Sequence, residues 1–112
     1  MSLTPAQLIE RLEAIEQDMG DRQNEYEIAA EDRVRRVRDW DKRLAIHQKV
    51  AKGPNKETRM ANALAAAIDA DDLYERLTDA EARFDALRVV MRTLETRATI
   101  GQSLLRAQGR GA

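Results

Sequence analysis

Between Pro5 and Gly53 the chain has no second proline and only one glycine, Gly20. Few sequences of that length lack breakers unless they fold as long helices. Thr4-Pro5-Ala6-Gln7 reads as the start of the first helix. Thr4 can cap, Pro5 suits the first helical position and Gln7 completes a capping box. Lys52-Gly53-Pro54 reads as its end, with Gly53 free to take the left-handed C′ conformation and Pro54 unable to continue the helix. Asn55 is a good cap for a second helix, which Gly109 and Gly111 close after about Ala107. The spacing therefore predicts helices over 5–52 and 56–107, a turn over 53–55 and a flexible tail over 108–112. Two helices of nearly equal length with a short link predict an all-α, antiparallel coiled-coil hairpin forming a single domain. Gly20 is the weak point of the first helix, where Asp21 could recap a second piece.

Apolar periodicity gives each helix a seam. In the first, Leu8, Leu12, Ile15, Met19, Tyr26 and Ala29 alternate at four and three residues, with Arg22 on the stripe. After Arg33 the phase slips by one residue and continues through Val37, Trp40, Leu44, His47 and Ala51. The second series is Ala63, Ala66, Ala70, Leu73, Leu77, Ala80, Phe84, Leu87, Met91, Leu94, Ala98, Gly101 and Leu105, the spacing of a coiled-coil seam. Folding at Pro54 sets Trp40 opposite Ala66 and Ala70, Tyr26 near Phe84, Met19 near Met91, Ile15 near Leu94 and Leu12 near Ala98. Large residues thus meet small ones, which helps fix the register.

A second apolar stripe remains: Leu64, Ile68, Tyr74, Val90, Ile100 and Leu104, with Ile28, Val34 and Ile46 on helix one. A two-helix hairpin has little core for its surface, so self-association is expected. Ile100, Gly101, Leu104 and Leu105 are the candidate contact, because a glycine there lets another helix approach closely.

Several function classes fall away. The chain has no Cys and one His, which removes disulfides and makes a Cys- or His-based metal site improbable. Asp69, Asp71 and Asp72 form an acidic group, but positions 69 and 71 point to different helix faces and no calcium-loop geometry follows. No nucleophile–base pair, phosphate-cradling glycine loop or nucleotide motif occurs, so neither a catalytic residue nor a cofactor is expected. No apolar run reaches the length of a membrane span and no signal pattern opens the chain. A cytoplasmic protein that does not engage membrane is the expectation.

Charge is the most informative property. The net charge of −1 conceals segregation. Residues 1–32 carry nine acids and two bases, and residues 33–59 carry ten bases and three acids. Residues 60–96 carry eight acids and four bases, and three arginines follow with no acid. A local basic block can neutralise phosphates even on a mildly acidic protein. Trp40 and His47 lie within it and could stack on bases if exposed, although the seam position of Trp40 favours core packing. The pairs Glu31–Arg35, Asp32–Arg36 and Asp39–Arg43 stand at i,i+4, and the acids at 69, 71 and 72 could meet the same block across the hairpin.

In this order of features the chain resembles the phage recombination mediators of the UvsY-like family. The resemblance rests on the basic, Trp-bearing stretch Arg33 to Lys52, the long helix from Asp72 to Leu94, and Arg97 followed by Ile100 and a final apolar turn. It covers about two thirds of the chain as pattern. It implies a small helical oligomer that binds single-stranded DNA and helps load a recombinase, in the host cytoplasm if phage-encoded. The phosphate-contacting candidates are then Arg35, Arg36, Arg38, Lys42, Arg43, Lys49 and Lys52, with Arg36 and Arg43 sharing a heptad position. Several basic ends brought together by oligomerisation would bind more tightly than one. The competing expectation is a protein-interaction module, an adaptor, scaffold or inhibitor that docks its spare apolar stripe on a partner helix.

Overall fold

The computed structural model describes residues 3–111, and all of its regular structure is helical. Among the described residues there are three helices: α1 over Pro5–Val50, α2 over Lys56–Ala70 and α3 over Leu73–Gly111. The one helix expected over 56–107 is therefore interrupted at Asp71–Asp72. At its far end α3 runs through Gly109, past the stop expected near Ala107, and Ala112 lies outside the described residues.

The caps follow local chemistry. The Thr4 amide donates to Gln7 Oε1 at 2.9 Å and the Gln7 amide to Thr4 Oγ1 at 3.2 Å, a reciprocal capping box. The Asn55 side chain accepts from the Thr58 amide at 2.8 Å and starts α2. Gly53 does not adopt the left-handed conformation, since no described glycine has positive φ. Its role is close approach: a Cβ at that position would lie 3.0 Å from Thr58 Cγ2 and 3.1 Å from the Arg59 amide nitrogen. Arg59 Nη1 donates to the Gly53 carbonyl and Asn62 Nδ2 to the Lys52 carbonyl, which tie the connection to α2.

Gly20 does not break α1, which is continuous across it. Nothing lies within 4 Å of a Cβ built there, and its φ is not positive. Gly20→Ala should therefore stabilise the protein by about 0.5–1 kcal/mol through helix propensity and a less entropic unfolded chain. The urea midpoint followed by far-UV circular dichroism measures this, and an unchanged or lower midpoint would contradict it.

The chain divides into two compact units. One combines the residues up to Ile28 with those from Asp85 onward, and the other is Ala29–Phe84. In the first unit, the start of α1 packs antiparallel on the end of α3. Gln108 Nε2 donates to the Leu3 carbonyl at 2.7 Å, and Leu12 lies against Gly101. Leu8, Leu12, Leu87, Met91 and Leu94 are its buried apolar residues. Helix pairs of this kind gain their stability from the apolar stripe rather than from propensity.

In the second unit, Trp40, Ala67 and Leu77 form the core, with Val37, Leu44 and Leu73 packed around them. The Trp40 and Tyr74 rings are 5.1 Å apart and tilted by 59°, within the range of favourable aromatic pairs. Arg33, at the phase slip of α1, places its guanidinium 5.3 Å from the centre of the Phe84 ring.

The register differs from the expected one by about a helical turn. Trp40 meets Ala67, Leu77 and Tyr74, while Ala66 and Ala70 are exposed. Leu12 lies against Gly101, about one turn beyond the expected Ala98. The buried residues of α2 are Ala63 and Ala67, four apart, and the 4-3 alternation resumes at Leu73 and Leu77 beyond the interruption. The break between α2 and α3 resets the phase.

Candidate nucleic-acid interface

The basic block lies in the second unit, on about the last five turns of α1, the connection that follows and the start of α2. At 3.6 residues per turn, Arg35, Arg38, Lys42 and Lys49 fall within about 60° of arc. Trp40, Leu44 and His47 mark the seam on the opposite side of the helix. All four cationic residues are exposed, and none forms an ion pair among the described residues. Val34 and Ile46, both more than half exposed, flank the row.

Arg36 and Arg43 stand apart from this row, on the flank of α1 and half-buried. Arg36 Nε is 3.5 Å from Asp32 Oδ1, the i,i+4 pair expected from the sequence. Arg43 Nη2 is 2.9 Å from Asp71 Oδ2, an acid brought across from the α2–α3 break. Lys52 follows the end of α1, and its carbonyl holds Asn62. The seven candidates thus divide into four on a solvent-facing row, two in intramolecular ion pairs and one on the connection. Charge reversal at Arg36 and Arg43, which heptad spacing singles out, would strip two internal ion pairs and so is a poor probe of binding.

Trp40 does not stack on a base in this arrangement. It is 7% exposed and serves as core. His47 is half-buried on the seam, and its Nε2 has no hydrogen-bond partner, as is true of Arg43 Nε one turn earlier. Asp71 caps the junction, with Oδ1 accepting from the Leu73 amide at 3.1 Å, and Asp72 holds Arg76 Nε at 2.7 Å. Sequence reasoning missed this junction. Its signal is Asp72-Leu73-Tyr74-Glu75, an acid followed three residues later by Glu, which marks a helix start. Among the described residues no group of three or more metal-ligating side chains converges, and no helix is long and apolar enough to cross a membrane.

The four residues expected at an oligomer contact have different surroundings. Ile100 and Leu104 are about half exposed, and with Leu8 and Ile15 they line an apolar cavity of about 230 Å³ in the first unit. Leu105 is half-buried. Gly101 receives the Leu12 side chain of the same chain, so the close approach it permits is internal. A Cβ there would lie 2.8 Å from Leu12 Cδ2 and 3.3 Å from its Cγ. Gly101→Val should consequently destabilise by about 1–3 kcal/mol by displacing a buried leucine. For Gly101→Ala, the propensity gain of about 1 kcal/mol offsets a small shift of Leu12. Denaturation midpoints for the two variants test this, and a valine variant as stable as the alanine one would refute it.

The chain matches no protein-family model, no curated protein and no solved structure. The fold and surface define a class only, that of an all-helical protein with a long cationic row on one helix.

Proposed function

We propose that this is a non-enzymatic, self-associating protein, built as an antiparallel helical hairpin, that binds single-stranded DNA through Arg35, Arg38, Lys42 and Lys49. Assistance in recombinase loading is the role that the resemblance to recombination mediators suggests. The observation that carries the reading is the division of the basic block. The flank cations are paired with Asp32 and Asp71, whereas no ion pair of the solvent-facing row occurs among the described residues. A row of unpaired cations on one rigid helix suits a phosphate backbone and demands no particular base sequence. The half-exposed Ile100 and Leu104 support self-association, which would multiply weak rows into one stronger site.

The test is the anisotropy of a labelled oligodeoxythymidylate titrated with the protein at low and moderate salt. Binding that weakens steeply with salt is expected. No binding at low salt, with the protein folded, would overturn the reading.

A second reading has its own observation. Met60, Leu64 and Ile68 stand at i, i+4 and i+8 on α2, and all three are exposed. Such a row suits the groove of a partner helix. A protein-docking module of this kind would show no salt-dependent affinity for DNA.

A further inference from the structure

We infer that the Arg43–Asp71 ion pair is a latch that holds α2 and α3 apart, and that an anion taking Arg43 lets them merge into one helix. The trigger rests on the DNA-binding reading above, whereas the latch itself does not.

Three observations lead there. First, no glycine or proline lies between Lys56 and Ile100, so local propensity does not call for a break at Asp71–Asp72. Interruptions of a helix have identifiable causes, and a side chain competing with the backbone ladder is one of them. Asp71 does this: it sits in extended conformation, with φ −162° and ψ −168°, and its Oδ1 accepts the Leu73 amide. Its other oxygen is held by Arg43 at 2.9 Å.

Second, the sequence encodes an alternative register for α2. The series Ala63, Ala66, Ala70, Leu73, Leu77 would form one unbroken seam on a continuous helix. The structure instead buries Ala63 and Ala67, leaving Ala66 and Ala70 exposed. Both faces are alanine, so exchanging one for the other changes little in packed volume. Two near-equal packings separated by a small rotation of α2 are the material of a two-state element.

Third, the latched state leaves polar groups unmet. Arg43 Nε and His47 Nε2 are buried without hydrogen-bond partners. At the start of α3, the Leu73 amide uses Asp71 Oδ1 and the Arg76 amide uses the Asp72 carbonyl. The amides of Tyr74 and Glu75 fall among the first N–H groups of the helix and have no acceptor within it. A continuous helix would give them the carbonyls of Ala70 and Asp71.

The ion pair is partly open to solvent, with side-chain exposures of 37% and 26%. Pairs of that kind are weak enough for a phosphate to compete. Merging would turn Met60, Leu64 and Ile68 further from α1, so anion binding and the exposure of that apolar row are coupled.

Amide hydrogen exchange of the whole protein by NMR tests the latch. In the unmodified protein the Tyr74 and Glu75 amides should exchange quickly. Asp71→Ala should slow them at least tenfold without any ligand. Arg43→Met, which keeps the apolar stem and loses the charge, should do the same and covers the case in which the first variant folds poorly. Saturating oligodeoxythymidylate should slow them in the unmodified protein. Fast exchange in both variants would overturn the latch. Bound oligonucleotide with Tyr74 and Glu75 still fast would overturn the trigger. Failure of the oligonucleotide to bind would remove the DNA-binding reading and with it the trigger, while the two variants still decide the latch.

Discussion

Trp40→Ala should cost about 3–5 kcal/mol, the range for truncating a buried large aromatic. That is a large share of the roughly 5–15 kcal/mol that holds a typical domain together. The reason lies in what Trp40 faces. α2 contributes only Ala63 and Ala67 as buried residues, so the indole is the largest side chain packed against it, beside Val37 and Leu44. Alanines cannot reach into the space it would leave, and the backbone of two long helices cannot collapse into it cheaply. The Tyr74 ring, 5.1 Å away, would also lose its partner, a further contribution of about 0.5–1.5 kcal/mol. Far-UV circular dichroism in urea is the appropriate measurement, because removing the only tryptophan removes the fluorescence signal. Trp40→Phe should lose much less. Equal midpoints for the alanine variant and the parent would remove Trp40 from the core.

Replacing Arg35, Arg38, Lys42 and Lys49 together with glutamine should abolish most binding of single-stranded DNA. Each phosphate neutralised on a single strand contributes about −0.7 to the slope of log affinity against log salt, so four contacts give a slope near −3. Such a slope corresponds to a loss of roughly 50-fold between 50 and 200 mM salt. In the quadruple variant the slope should approach zero. The helix should survive, because all four side chains are exposed and none is in an ion pair among the described residues. Arg36→Gln provides the contrast, since its guanidinium already faces Asp32, and it should leave the slope nearly unchanged. A quadruple variant that keeps the parent slope would move the interface elsewhere.

How far the sequence disclosed the fold can be read from particular residues. The seam of α1 was legible throughout, including the slip at Arg33. Every apolar residue assigned to it, from Leu8 to Ala51, is buried or half-buried, and so is His47. From Leu73 onward the α3 seam is equally faithful. The failure lies between them, in a segment with alanine at 61, 63, 65, 66, 67 and 70. Hydrophobic periodicity needs contrast between faces, and alanines all round provide none. The position of the break depends on an aspartate choosing its own backbone and an arginine about 30 residues earlier over the helical ladder.

The candidate site was legible as composition but not as geometry. Ten bases in residues 33–59 marked the region. Which of them remain available depends on where the acids of the other helices arrive, and Asp71 reaches Arg43 only because α2 ends there. Gly101 carries the same lesson. Its spacing announced a close contact, but only the pairing with Leu12 identifies that contact as internal.

The hydrogen bond from Gln108 to Leu3 joins residues 105 apart in sequence, whereas that from Asn62 to Lys52 joins residues 10 apart. Closing a short loop costs less chain entropy than closing a long one. The pairing at the connection is therefore expected to form before that of Leu3 with Gln108. On that order Gly101→Val should act mainly on the unfolding rate and Trp40→Ala also on the folding rate, which stopped-flow kinetics in urea measure. Equal effects of both variants on folding would contradict it.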